Sequence, residues 1–183
     1  VMLMLVSVLG AVIARFSRNY LDGDPGLPRY FRWLLLTLAC VSALVLANDL
    51  HVIAACWTGV SLALHQLLTF FGDRPAALVA AHKKFLVSRL ADCALLVALL
   101  LVQAEVGSLS LDALDLWVSR QGALSPQLQV GAVLVVVAVA LRSAQLPFHG
   151  WITQVMEAPT PVSALLHAGV VNLGGFVLLR LAP

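Results

Sequence analysis

Long apolar runs are the feature that most limits what this sequence can fold into. A helix needs roughly 20 mostly apolar residues to cross a bilayer. Only 11% of the residues are charged, whereas soluble domains are about a quarter charged. The runs occupy residues 1–14, 33–48, 50–71, 85–103, 128–145 and 162–181. The sequence therefore predicts an all-α fold, a polytopic transmembrane helix bundle whose first run is the end of a truncated span.

The charges in the connections between the runs predict an orientation. The connection 15–32 carries four arginines against two aspartates, and the connection 72–84 carries three basic residues against one aspartate. The connection 105–127 is instead mostly acidic. Because cytoplasmic loops are enriched in Lys and Arg, we expect the first two connections in the cytoplasm and the third on the outside.

Composition and motif content exclude several classes of function. A net charge of +2 is too small to indicate a nucleic-acid-binding protein, and the basic residues stand at the ends of runs. The three cysteines Cys40, Cys56 and Cys93 lie far apart in apolar stretches, so no metal site is predicted. There is no nucleotide-binding loop and no catalytic dyad. We therefore expect no catalytic residues, no cofactor and no enzymatic activity in this chain by itself.

Polar residues recur along one face of the third run. His51, Thr58 and His65 are seven residues apart, which turns each by only about 20° from the last on a helix. Ser61 lies on the same stripe. Such a face has two interpretations: it lines a hydrated proton path, because histidine titrates near neutrality, or it forms hydrogen bonds between packed helices.

The fourth run carries charges at membrane depth. Charged side chains within a span are costly and by default face the bundle interior. Arg89 and Asp92 are three residues apart, so they are predicted to pair on one helix face, either as a structural or as a working ion pair. At the start of the run, Lys83 and Lys84 are expected to extend to the cytoplasmic surface.

The fifth run predicts a discontinuous helix. Arg142 follows a long apolar stretch and stands just before Pro147, where the helix is expected to break and resume over residues 148–157. Arginine does not deprotonate in proteins, so Arg142 is interpreted as a fixed charge or as a helix-end residue. His149 and Glu157 flank the break and can titrate, while a capping role for Glu157 is the alternative.

The last run contains a histidine that is expected to face a polar environment. His167 lies four residues after Ser163, which places both side chains on one helix face. An ionisable group in a span is by default part of an ion path. We therefore include His167 among the predicted path residues.

Two adjacent segments carry a resemblance to a known family. Residues 143–151 (SAQLPFHGW) and 156–168 (MEAPTPVSALLHA) resemble the signature of the proton-pumping membrane subunits of complex I and of Mrp-type cation antiporters. The resemblance implies a helix broken near 142–158. It also implies that 33–183 forms a five-helix unit, one half of an antiporter-like inverted repeat. Residues 1–32 would then be the end of a truncated transmembrane helix and a cytoplasmic loop.

The resemblance also shows where this sequence departs from the family pattern. The family glutamate follows a tryptophan, and Thr58 stands at that position; the family lysine precedes S-A-Q, and Arg142 stands there. A Glu–Lys pair that exchanges protons cannot work as a Thr–Arg pair. His167 and Lys83 match the histidine and the lysine that the family carries in its corresponding spans.

A narrower resemblance rests on three further segments. Residues 64–71 (LHQLLTFF), 83–90 (KKFLVSRL) and 167–176 (HAGVVNLGGF) are similar to the membrane subunits of the DAB-type inorganic carbon transporters, the DabB family. This resemblance implies a multi-pass protein of the bacterial inner membrane. It also implies a partner, a DabA-like zinc subunit related to carbonic anhydrases.

The leading hypothesis is a membrane subunit of an energy-coupled inorganic carbon pump. It would conduct protons or sodium down their gradient and so drive accumulation of CO2 or bicarbonate with its partner. The alternatives are a proton-translocating subunit of an NADH:quinone oxidoreductase and an Mrp-type cation/proton antiporter subunit. The predicted ion-pathway residues are Arg142, His149, His167, His65, Thr58, Lys83, Arg89, Asp92 and Glu157.

Overall fold

The computed structural model describes residues 1–72, 75–121, 124–145, 150, 152 and 159–181, and these contain helices and no β-strand. The helices are α1 (Met2–Tyr20), α2 (Leu27–Leu46), α3 (Leu50–Leu68), α4 (Pro75–Val106), α5 (Leu111–Gln121), α6 (Pro126–Arg142), α7 (Thr160–Leu165) and α8 (Leu173–Leu181). A π-helical turn, Leu166–Val170, follows α7 directly. Helices α1, α2, α3 and α4 are long and apolar enough to cross a membrane, so the chain is a multi-pass membrane protein.

Local chemistry explains where two of the helices begin. Asp49 precedes α3, and its carboxylate accepts a hydrogen bond from the backbone N–H of His51 at 2.8 Å. Ser125 precedes α6, and its hydroxyl accepts a hydrogen bond from the backbone N–H of Leu128 at 3.3 Å. Both side chains satisfy N–H groups that have no partner within the first turn of a helix.

The helix bounds differ from the predicted runs in two places that matter for the site. Helix α4 begins at Pro75 rather than at residue 85, so most of the predicted connection 72–84 is part of the helix. Helix α6 ends at Arg142 rather than at residue 145, before the predicted break at Pro147. Ala144 follows with φ of 51°, a left-handed conformation that is uncommon for alanine and stops the helix.

The last apolar run is one helical segment with a local irregularity. It was predicted as a regular helix over 162–181, and it instead contains the π-helical turn Leu166–Val170 between α7 and α8. A π turn accommodates an extra residue in a helix and is frequent at functional sites. His167 lies on this turn.

The bundle is apolar on its outer surface and polar in one internal layer. Large apolar side chains such as Leu86, Leu100 and Leu179 are 64%, 69% and 78% exposed, as expected for helices surrounded by lipid. Two buried apolar clusters pack inside the bundle, one toward each end of α3 and α4. The buried polar side chains between these clusters are Thr37, Ser61, Lys84, Ser88 and Asp92.

Helices α6 and α8 approach each other closely at a glycine. A Cβ atom placed on Gly174 would lie 2.9 Å from Cγ1 of Val139 and would overlap Oγ of Ser143. A β-branched residue in a helix has essentially one rotamer, so Val139 has little freedom to move away. By contrast, a Cβ atom on Gly131 would meet its nearest neighbours at an ordinary 3.8 Å.

These distances predict opposite results for two Gly→Ala changes. Gly174→Ala should destabilise the protein by about 1–3 kcal/mol through overpacking. Gly131→Ala should be neutral or stabilising by up to about 1 kcal/mol, because alanine favours the helix. Thermal unfolding of the full protein in detergent would measure both. Equal stability of the two variants would contradict the close packing of α8 on α6.

Candidate functional site

A single aspartate holds two arginines near the middle of the bundle. The Asp92 side chain is only 10% exposed. Arg89, one turn earlier on α4, lies 2.8 Å from an Asp92 carboxylate oxygen, and this is the pair predicted from the sequence. Arg142, at the end of α6, forms an ion pair with the other oxygen. The carboxylate is therefore shared between a partner on its own helix and a partner on a neighbouring helix.

Arg142 is also fixed by α3. Its guanidinium donates a hydrogen bond to the backbone carbonyl of Trp57 at 2.7 Å and lies 5.0 Å from the centre of the Trp57 ring. A planar guanidinium can make such contacts together, which an ammonium group cannot do equally well. Arg142 thus joins α3, α4 and α6 at one point, and it does so as a permanent cation.

A buried lysine lies beside this group. Lys84 is 5% exposed, and its ammonium donates to the backbone carbonyl of Ser61 on α3 at 3.4 Å. This distance is longer than a good N–H···O hydrogen bond. Arg89 and Arg142 are close enough to repel its charge. The prediction that Lys84 extends to the membrane surface is therefore wrong, since its side chain points into the bundle.

Two histidines, one on α3 and one on α4, have their rings close together near the buried lysine. The ring of His65 on α3 lies 5.5 Å from the ring of His82 and 4.8 Å from the ring of Phe85, measured between centroids. His82 is exposed, whereas His65 is half-buried and one turn along α3 from Ser61. Within the described part of the chain, Nδ1 of His65 has no hydrogen-bond partner.

Only some residues of the predicted polar stripe on α3 belong to this site. His51 is exposed at the start of α3, where it lies 3.4 Å from Asp49. Thr58 is half-buried next to Trp57. The described contacts include no hydrogen bond between Thr58 and Arg142. Ser61 and His65 are instead the members of the stripe that face α4.

The other predicted pathway residues lie apart from the cluster or outside the described part. Lys83 is exposed, in contrast to its neighbour Lys84. His167 is exposed on the π-helical turn, and no described ion pair or hydrogen bond joins it to Arg142 or Asp92. His149 and Glu157, together with most of the predicted helical piece 148–157, lie outside the described residues.

Only some of the clustered groups can exchange a proton. Arginine stays charged in proteins, so Arg89 and Arg142 act through their fixed charge. Both arginines contact the carboxylate of Asp92. Lysine and histidine side chains can exchange protons, which leaves Lys84 and His65. The described residues contain no group of three or more His, Cys, Asp or Glu side chains placed to bind a metal ion.

Sequence reasoning found the Arg89–Asp92 pair but missed two features of the site. One is the burial of Lys84, and the other is the contact of Arg142 with both Asp92 and the Trp57 carbonyl. A signal for Lys84 was present: it is four residues before Ser88 and eight before Asp92, which places the three on one helix face. No pattern within the sequence indicates the contacts of Arg142, because they join three helices.

Comparison with protein families gives two matches along the chain. Residues 47–183 match the transmembrane family described as NADH:quinone oxidoreductase/Mrp antiporter. Residues 1–31 match the family described as NADH-ubiquinone oxidoreductase (complex I), chain 5 N-terminus. The first match covers most of the chain and includes every residue of the buried charge cluster.

Individual relatives narrow the similarity. The chain is 47% identical over 180 residues to a probable inorganic carbon transporter subunit DabB2 from Halothiobacillus neapolitanus. It is 45% identical over 184 residues to a probable inorganic carbon transporter subunit DabB from Hydrogenovibrio crunogenus. These alignments cover 98% and 100% of this chain, but only 33% and 36% of the relatives. The chain thus spans about a third of their length.

A solved structure shows the same arrangement of helices. A chain of the Mrp complex from Dietzia sp. DQ12-45-1b superposes with a TM-score of 0.88 and 33% sequence identity, over 98% of this chain and 20% of that chain. At this identity and coverage the likeness extends to the whole helical arrangement described above. The fold is therefore an antiporter-like helical bundle.

Proposed function

Because this chain belongs to the NADH:quinone oxidoreductase/Mrp antiporter transmembrane family, we propose that it is a cation-conducting part of the membrane subunit of an energy-coupled inorganic carbon pump. Protons or sodium would pass down their gradient through the subunit. Their passage would drive accumulation of CO2 or bicarbonate. The chain itself would catalyse no reaction and hold no cofactor.

The burial of a charge cluster is the observation that supports ion conduction. A membrane interior disfavours ionisable groups strongly, so those that persist there usually mark an ion path. Here Asp92, Arg142 and Lys84 are all buried between two apolar clusters. A purely structural bundle would be at least as stable with apolar residues at these positions.

The choice of inorganic carbon as the cargo is supported by the relatives. Two proteins named as probable inorganic carbon transporter subunits match nearly the whole chain at 47% and 45% identity. Thr58 and Arg142 point the same way, because they replace the titratable glutamate and lysine of respiratory and antiporter subunits. By the same resemblance, the partner would be a DabA-like zinc subunit related to carbonic anhydrases, and the location would be the bacterial inner membrane.

The proposal is tested by uptake in a host that requires added carbon dioxide for growth. The full-length subunit, expressed with its partner, should restore growth in air and accumulation of labelled inorganic carbon. A protonophore or a sodium ionophore should abolish accumulation and identify the coupling ion. The double variant His167→Ala with Arg142→Ala should not support growth. Unchanged growth with this double variant would overturn the proposed path.

The Mrp likeness favours one alternative, a cation/proton antiporter subunit. The two functions differ in what moves when no inorganic carbon is present. An antiporter would dissipate a proton gradient in everted vesicles on addition of sodium alone. A carbon pump would require bicarbonate or CO2 and the zinc partner. A respiratory subunit would instead pump protons only during NADH oxidation.

A further inference from the structure

Lys84 is buried, and no carboxylate among the described residues forms an ion pair with it. We propose that Lys84 carries protons in this half of the bundle, exchanging them with the exposed surface through His65 and His82. The inference rests on the proposed ion-conducting function and adds to it a residue that the family pattern does not mark, since Lys83 occupies the family lysine position.

The charges around Lys84 leave its ammonium group poorly compensated. In the described part of the cluster, Arg89, Arg142 and Lys84 are three potential cations against the single carboxylate of Asp92. Both arginines contact that carboxylate, and arginine cannot give up its charge. Within the described residues, Lys84 donates one hydrogen bond, at 3.4 Å, to a backbone carbonyl. Lys84 is therefore the cation of the cluster that can become neutral by losing a proton.

The geometry next to Lys84 offers an acceptor for that proton. His65 is one turn along α3 from Ser61, whose carbonyl Lys84 contacts, and the charges of Lys84 and His65 are close enough to interact. The ring of His65 is within hydrogen-bonding reach of the Ala81 backbone carbonyl, while its Nδ1 has no described partner. The hydroxyl of Ser61 is buried and also has no described partner.

The transfer balances without any other reactant. One N–H bond of the Lys84 ammonium breaks and an N–H bond forms at Nδ1 of His65, which leaves a neutral amine and an imidazolium. The other ring nitrogen, which reaches the Ala81 carbonyl, then leaves this carbonyl and gives its proton to Nε2 of His82, whose ring centroid is 5.5 Å away and whose Nδ1 contacts the Leu78 carbonyl at 2.6 Å. His82 is exposed and passes the proton on. The same steps in reverse load Lys84.

Most of the described groups around Lys84 are cationic. From α3 it faces His65, from α6 Arg142, and from its own helix Arg89. The carboxylate of Asp92 contacts the two arginines. The described surroundings of Lys84 therefore offer its ammonium group little compensation.

The test compares two adjacent lysines in the full-length subunit with its partner. Lys84→Arg keeps size and charge but cannot release a proton, so proton flux into everted vesicles should fall by about 100-fold, as far as in Lys84→Met. Lys84→His should keep measurable flux, with the alkaline limb of the pH–rate profile moved to lower pH, because histidine titrates near 6.5 and lysine near 10.4. The control variant Lys83→Arg should lose far less proton flux than Lys84→Arg.

Each outcome decides the inference. Flux in Lys84→Arg within a few-fold of the wild type would show that only the charge matters, and so would an unshifted profile in Lys84→His. If Lys83→Arg lost proton flux while Lys84→Arg retained it, the proton-carrying role would belong to Lys83. Amounts of folded protein are compared by thermal unfolding in detergent. A wild type that moves protons but no inorganic carbon would refute the proposed cargo, yet the flux comparison would still decide the role of Lys84.

Discussion

Replacing Asp92 by asparagine is expected to be the most destabilising single change in the described part of this chain. The change removes the one carboxylate that Arg89 and Arg142 share while keeping the shape of the side chain. Breaking a buried ion pair by removing one partner costs about 3–5 kcal/mol, because an uncompensated charge is left behind. Arg89 is partly exposed, so most of this cost comes from Arg142.

A double variant distinguishes the effect of an unpaired Arg142 charge from a simple packing defect. Adding Arg142→Gln to Asp92→Asn removes the orphaned cation and should recover at least about 1 kcal/mol of the loss, a coupling typical of residues in direct contact. Thermal unfolding of the full protein in detergent measures both. Asp22→Asn, on the exposed connection between α1 and α2, is the matched control and should shift stability by no more than about 0.5 kcal/mol. Strict additivity of the two changes would contradict the shared-carboxylate arrangement.

The second large effect is expected at Arg142 itself. Arg142→Met removes the ion pair with Asp92, the 2.7 Å hydrogen bond to the Trp57 carbonyl and the contact with the Trp57 ring. Asp92 keeps Arg89 as a partner, so the loss of stability should be near the lower end for a buried pair, about 3 kcal/mol. Uptake of inorganic carbon should fall to background, because the fixed positive charge that pairs with Asp92 is gone.

A conservative change distinguishes the fixed charge from the shape of the side chain. Arg142→Lys keeps a cation beside Asp92 but loses the planar fork that also reaches α3. It should retain most of the stability and part of the uptake. Arg120→Met, on the exposed face of α5, controls for removal of any arginine. Uptake above half of the wild-type value in Arg142→Met would show that the charge of Arg142 is dispensable.

The sequence predicted those parts of the molecule that depend on neighbouring residues. The apolar runs located the helices, and the spacing of three residues predicted the Arg89–Asp92 pair, because both follow from the geometry of one helix. The contacts of Arg142 and the burial of Lys84 depend on how α3, α4 and α6 are rotated against each other. That rotation is set by side-chain packing over whole helix faces, which no local pattern encodes.

The π-helical turn and the early end of α6 were missed for a similar reason. The segment Leu166–Val170 contains one poor helix former, Gly169, but nothing in its spacing signals an extra residue in the turn. Ala144 takes a left-handed conformation that sequence reasoning normally assigns to glycine or asparagine. In both places the surrounding bundle overrides the local preference of the chain.

The hydrogen bonds of Arg180 can form only late in the synthesis of the bundle. Its guanidinium donates hydrogen bonds to the carbonyls of Val45 and Ala47 at 3.1 and 2.7 Å, across 135 and 133 residues of sequence. These carbonyls belong to the end of α2, where a helix has no partners of its own. Ribosomes add about 5–20 residues each second. Arg180 is therefore synthesised roughly ten seconds after the end of α2 whose carbonyls it binds. Until then, water, lipid headgroups or the insertion machinery must satisfy these two carbonyls at the end of α2.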